Sequence, residues 1–401
     1  MPGAEPLTEA GLERFAAVAA RHVGDDRVPG LVALVAHGEQ VHVETVGSLS
    51  IGGLPARRNS LFRISSTTKP ITGAATLALV AEGRLGLDEL VERWLPELAD
   101  RRVLRHMDGA LSDTVPATRS ITVRDLLTFT FGFGMTMAMF TSPRPWPVVT
   151  AAAELRLATI GPPQPAVPPD PDAWIGALGS LPLLAQPGER WLYNTGAAVL
   201  GVLLARAAGQ SLPDVLRTRI VEPLGLRDTA FWTADTDRLA SAYQPTSDGL
   251  HIWDPPDGQW SRPPAFPDGA AGLISTADDL LAFARMLLRG GAPVLPADAV
   301  TEMTRDQLTA EQRARDGQGF LDGRGWGFCQ SVLTDGPRAG AFGWDGGIGT
   351  SWLVDPRQDL VVIVLTQRLF ETALPPQVHA GLQAAAYAAL PEPESVERTT
   401  Q

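Results

Sequence analysis

Sheet-forming segments lie at the two ends of this 401-residue chain, with helical sequence between them, and that arrangement constrains the fold more than any other feature. Near the N-terminus, LVALVAHGEQVHVETVG (31–47) reads as a β-hairpin: Gly38 suits the turn, and Val41 and Val43 alternate with His42 and Glu44. After residue 320, GWGFCQSVLT, GAFGWDGG, TSWLVDP and DLVVIVLTQ read as strands. The last is apolar throughout, as a strand covered on both faces should be. Helical spacing fills much of the interval, at 88–100, 122–129, 197–209, 212–225 and 276–288, and further helices are expected at 8–22 and 375–389. The implied fold is α/β, of the α+β type. Residues 1–84 and 316–401 would form an antiparallel sheet flanked by helices, and 85–315 an inserted, mostly helical domain. Within the insertion, 133–187 reads as irregular and lid-like, its 141–187 stretch being rich in Pro and Trp.

The balance of 44% apolar and 19% charged residues is that of a globular protein with a large core. A net charge of -12 argues against nucleic acid as partner, because phosphate binding needs a surplus of Lys and Arg. It fits a protein acting on small molecules. No apolar run approaches the ~18 residues that span a bilayer, and residues 1–22 lack the apolar centre of a secretion signal. The six histidines are scattered, and the single cysteine, Cys329, has no partner for a disulfide or a zinc site. A cytoplasmic protein without metal or cofactor, and without membrane contact, is the expectation. Cys329, placed in a strand, reads as buried packing, and Asp278, Asp279 and Asp345 read as structural.

Of the 33 Lys and Arg residues only one, Lys69, is a lysine. Arginine does not lose its proton in a protein, whereas a buried lysine can. Chance in an arginine-rich composition explains a lone lysine equally well, so its neighbours decide. Lys69 closes Ser66-Thr67-Thr68-Lys69, an S-x-x-K element, and is followed by Pro70. Proline is tolerated only in a helix's first turn, so the helix must begin near Ser65 or Ser66. Positions i and i+3 share a helical face, so the hydroxyl and the amine can touch. The positive end of the helix favours an oxyanion at the serine and disfavours a protonated lysine. A neutral lysine can then take the serine proton.

FRISSTTKPITGAA resembles the nucleophile helix of the serine β-lactamase-like superfamily, most of all its class C and family VIII carboxylesterase-like branch. TVRDLLTFTFGFG, PGERWLYNTGAAVLG, VEPLGLRDTAF, GLISTADDLLAFARMLL and GWDGGIGTSW resemble further segments of that family in the same order, over about residues 8–390. The resemblance implies a β-lactamase/transpeptidase-like fold and an acyl-enzyme on Ser66. Lys69 would be its base, and Tyr193 a second base and the acid for the leaving group. It also implies an oxyanion hole made by the N–H groups of Ser66 and Gly347, with Gly346 letting substrate approach the strand.

Three features depart from the family pattern. The second motif, usually Tyr-Ser-Asn, reads Tyr193-Asn194-Thr195, so either Asn194 or Thr195 would fill the amide-contact position. The third motif, Lys-Thr-Gly in β-lactamases and D-amino-acid peptidases, reads Trp344-Asp345-Gly346 and carries no cation for a substrate carboxylate, unless an arginine such as Arg338 compensates. Phe129 and Phe131 stand where relatives often have His and Ser. With Met135, Met137, Met139, Phe140 and Trp146 they form either ordinary core or a soft apolar pocket wall. Asn194, Trp344, Gly346, Phe131 and Trp146 are therefore the expected substrate-binding residues. The expected reaction is hydrolysis of a small carboxylic ester with an apolar group. Acyl transfer through the same acyl-enzyme, β-lactam or D-peptide hydrolysis, and a non-catalytic binding homologue are the alternatives.

Overall fold

The 31–47 segment forms the expected hairpin, β1 (Gly30–His37) and β2 (Gln40–Gly47), and Gly38 turns it with a φ of 57° that only glycine adopts freely. The computed structural model describes residues 5–24, 27–316 and 319–391. The C-terminal segments supply β3 (Gly325–Trp326), β4 (Ser331–Val332), β5 (Phe342–Gly346), β6 (Thr350–Asp355) and β7 (Leu360–Thr366). The seven strands form one sheet in the order β2-β1-β7-β6-β5-β4-β3, each pairing antiparallel. The two chain ends meet between β1 and β7, where Leu34 stands opposite Ile363.

Five helices frame this sheet and the site: α1 (Glu9–Arg21), α2 (Thr68–Ala81), α3 (Thr195–Ala208), α4 (Ala277–Leu288) and α5 (Gln377–Tyr387). Side chains alternate across a strand, so β1 and β7 each feed two cores. Leu31, Ala33, Val35, Val362 and Val364 pack with Phe15 of α1 and Leu382 of α5. Val32, Leu34, Val361, Ile363 and Leu365 join the larger core that holds α2, α3 and α4. Burial on both faces explains the unbroken apolar run of β7, each such side chain contributing about 1.5–3 kcal/mol.

Residues 85–315 depart from their sequence reading in three places. Residues 88–100 form two 3-10 turns, Val91–Arg93 and Pro96–Leu98, because Pro96 cannot donate within a continuous helix. Residues 212–225 bend through a π-helical turn at Arg217–Val221. The stretch read as irregular contains helices Pro147–Glu154 and Pro171–Ser180, each opened by a proline at its first position. Small antiparallel pairs also lie here, at 102–104 with 114–116 and 242–246 with 249–254. Cys329 is buried but occupies the turn between β3 and β4, with a φ of 62°, rather than a strand. Among the described residues no single helix is long and apolar enough to cross a membrane.

Candidate active site

The segment Phe62–Arg63 pairs with Ile274–Ser275 and delivers the chain to a 3-10 turn, Ser65–Thr67, that runs directly into α2. Ser65 takes a φ of 46°, in the left-handed region that non-glycine residues avoid, one residue before the serine. Pro70 falls in the first turn of α2, where no N–H is needed. Strand β6 is pinned against this turn, for Thr350 Oγ1 donates to the Ile64 carbonyl at 2.9 Å. A Cβ on Gly346 would lie 2.3 Å from that same carbonyl oxygen, so only glycine fits.

Lys69 is fully buried, and its Nζ donates to Ser66 Oγ at 2.8 Å and to the Ala270 carbonyl at 2.9 Å. Burial, which penalises the ammonium, lowers its pKa to about 7, against the opposing pull of Asp268 and Cys329. Lys69 Nζ also stands 4.7 Å from the centre of the Tyr193 ring. Tyr193 is held on a backbone bridge to Met135, each N–H donating to the other's carbonyl at 2.8 Å. Its ring lies among Trp191, Phe320, Trp344, Phe129 and Trp326. Burial pushes its pKa well up, outweighing hydrogen bonds from Ser66 and Trp344 that lower it, so the free enzyme holds a phenol and not a phenolate.

Trp344 donates its indole N–H to the Tyr193 hydroxyl at 2.6 Å. The third-motif position therefore carries a neutral hydrogen-bond donor aimed at the tyrosine. The neighbouring Asp345 lies 3.2 Å from His379 Nδ1 and 3.7 Å from Arg324 Nη1, and these two groups help hold its carboxyl below the usual range despite burial. Arg338, the expected compensating arginine, instead sits over the ring of Tyr387.

A cavity of about 660 Å³ opens over Ser66. Tyr193, Asn194, Trp344 and Gly347 line it, and Met135, Met137, Phe140, Phe320, Leu369 and Phe370 make its apolar wall. Asn194 reaches it and donates to the Thr159 carbonyl at 3.1 Å, whereas Thr195 is fully buried and does not line it. Three expected binding residues do not line it, Gly346 among them, which packs against the Ile64 carbonyl. Phe131 is completely buried in the core, and Trp146 lines a separate surface groove with Arg105 and Met107. Phe129 likewise packs inside, 4.9 Å from Trp326. The apolar character of 129–146 thus splits between core and cavity, and only its middle, Met135 to Phe140, faces the cavity. Asp278 and Asp279 are structural. The former pairs with Arg58, and the latter accepts from the N–H groups of Arg227 and Asp228.

Sequence reasoning did not find Phe320, Leu369, Phe370 or Asp268 as cavity residues, nor the Ala270 carbonyl as the second acceptor for Lys69. None carries a local signal, because each is brought in by a loop whose path depends on the packed core.

The family model described as Beta-lactamase matches residues 15–386. Protein Rv1367c of Mycobacterium tuberculosis is 37% identical over 360 residues, covering 84% of this chain and 85% of that protein. Esterase EstB of Burkholderia gladioli is 33% identical over 398 residues, covering 92% and 94%. Among solved structures, EstCE1, a hydrolase with promiscuous acyltransferase activity, superposes with a TM-score of 0.80 at 26% identity, covering 94% of this chain and 99% of that one.

Proposed function

The chain belongs to the beta-lactamase family of serine hydrolases, and from that membership and the geometry around Ser66 we propose that it cleaves a small carboxylic ester through an acyl-enzyme. The observation that carries the reading is the 2.8 Å contact between Ser66 Oγ and a fully buried lysine whose pKa lies at about 7. At neutral pH a large share of Lys69 is then uncharged and able to act as a base. Lys69 takes the Ser66 proton as Oγ bonds to the ester carbon, and the carbonyl π pair moves to oxygen. The Ser66 and Gly347 N–H groups receive that charge; Ser66 sits in the first turn, where N–H groups lack helical partners. Collapse breaks the C–O bond and expels the alcohol as alkoxide, which takes its proton from the Tyr193 hydroxyl. The Lys69 ammonium, close to that ring, resupplies it. Water then repeats the sequence on the acyl carbon, freeing the acid and returning the proton to Ser66 Oγ.

Two observations favour neutral esters over β-lactams. The third-motif cation is replaced by Trp344, and Asp345 stands beside it. The apolar wall, from Met135 to Phe370, suits an apolar acyl or alcohol group. Esterase EstB supports the ester reading, and EstCE1 supports acyl transfer as the second reading, in which an alcohol replaces water in the second half-reaction. The test is turnover of p-nitrophenyl acetate and butyrate by wild type and Ser66→Ala, with nitrocefin in parallel. Equal ester rates in both proteins would refute the acyl-enzyme on Ser66, and fast nitrocefin turnover would refute the preference for esters.

A further inference from the structure

We infer that Asp268 is a positioning residue that sets the acid limit of catalysis by holding and charging the acceptor side of Lys69. The inference rests on the reading of Lys69 as the base. Asp268 lines the substrate cavity, and its Oδ1 accepts the Ala270 N–H at 2.8 Å. The Asp268 carbonyl closes the same turn by accepting from Gly272 N–H at 2.9 Å. The turn so fixed presents the Ala270 carbonyl to Lys69 Nζ at 2.9 Å and the Gly269 carbonyl to Thr72 Oγ1 at 2.7 Å. One carboxylate therefore shapes the loop that grips the amine and places a negative charge beside it.

The other titratable groups facing Lys69 cannot supply that charge near neutral pH. Tyr193, over whose ring the amine sits, has its pKa raised by burial and stays a phenol. Cys329, in the turn between β3 and β4, is fully buried and its thiol is pushed well up, so it stays neutral. Ser66, beside Lys69 in its own segment, is uncharged. Asp268 is the carboxyl group whose field raises the Lys69 pKa, though burial raises its own pKa as well. The sign follows: the carboxylate favours the ammonium, so removing its charge makes Lys69 lose its proton at lower pH.

The test is the pH profile of kcat/KM on p-nitrophenyl butyrate for wild type, Asp268→Asn, Asp268→Ser and Asp268→Glu. Asn and Ser keep an acceptor for the Ala270 N–H and lose the charge, while Glu keeps the charge. The acid limb should move about one unit toward lower pH in Asn and Ser, and should stay with wild type in Glu. Should Asn not fold, Ser carries the same comparison. A limb that stays put in folded neutral variants, or that shifts equally in Glu, overturns the role of Asp268. If Lys69→Arg keeps wild-type activity, the reading of Lys69 itself fails, and the two failures are thereby distinguished.

Discussion

Replacing Trp344 by Phe removes one atom group with a defined job, the indole N–H that donates to Tyr193 OH at 2.6 Å. Phenylalanine keeps an apolar ring in the box between Trp326, centred 4.8 Å away, and Tyr193, centred 5.5 Å away. The N–H lowers the pKa of Tyr193, so its loss leaves the phenol a weaker acid with one donor fewer. A neutral hydrogen bond is worth about 1–1.5 kcal/mol, which at 1.36 kcal/mol per factor of ten is about five- to thirteen-fold in rate. That loss should fall on kcat/KM, which reports acylation alone, and depend on the leaving group. An alkyl ester such as ethyl butyrate needs a proton on its departing alkoxide, whereas p-nitrophenolate departs without one. The assay is therefore kcat and KM on both esters by pH-stat titration and absorbance, with thermal melts alongside. Trp326→Phe is the control, because it loses similar volume from the same box while the Trp326 indole N–H has no hydrogen-bond partner among the described residues. Expected is a five- to thirteen-fold fall for Trp344→Phe on ethyl butyrate, little change on the nitrophenyl ester, and no leaving-group dependence for Trp326→Phe. An equal loss of kcat/KM on both esters in Trp344→Phe would refute Tyr193 as the acid assisted by Trp344.

Lys69→Arg should abolish activity by about 10²–10⁴, because arginine cannot give up its proton, and the residual rate should lose its dependence on pH. In wild type kcat/KM should fall as pH drops below about 7, since the base is lost as Lys69 gains a proton. A wild-type profile flat from pH 5 to 8 would remove Lys69 from the base role. Gly346→Ala should lower both the melting temperature and the activity, because a Cβ there lies 2.2 Å from Thr350 Oγ1 and 2.3 Å from the Ile64 carbonyl, both of which fix the serine turn. Wild-type melting in this variant would contradict that packing. Phe320→Ala should favour p-nitrophenyl octanoate over acetate several-fold, as it opens the cavity wall where Phe320 faces Phe140 at 6.1 Å; an unchanged octanoate-to-acetate ratio would show that this wall does not measure the chain.

The sequence by itself determined what short-range geometry dictates. The i to i+3 spacing of Ser66 and Lys69, with Pro70 restricting where the helix can start, places hydroxyl and amine on one turn whatever surrounds them. The unbroken apolar runs of β1 and β7 likewise set their burial, because a strand apolar at every position must be covered on both faces. Tertiary structure alone decided which aromatic rings face the substrate. Phe131 and Phe320 are equally apolar, yet one is sealed in the core and the other stands on the cavity wall. Nor does any local pattern join Trp344 to Tyr193 across 151 positions, or Lys69 to the Ala270 carbonyl across 201. Those contacts exist because the two chain ends close one sheet and the chain between them packs against it. A hydrogen bond between distant residues depends on where packing puts both, and neither residue encodes that alone.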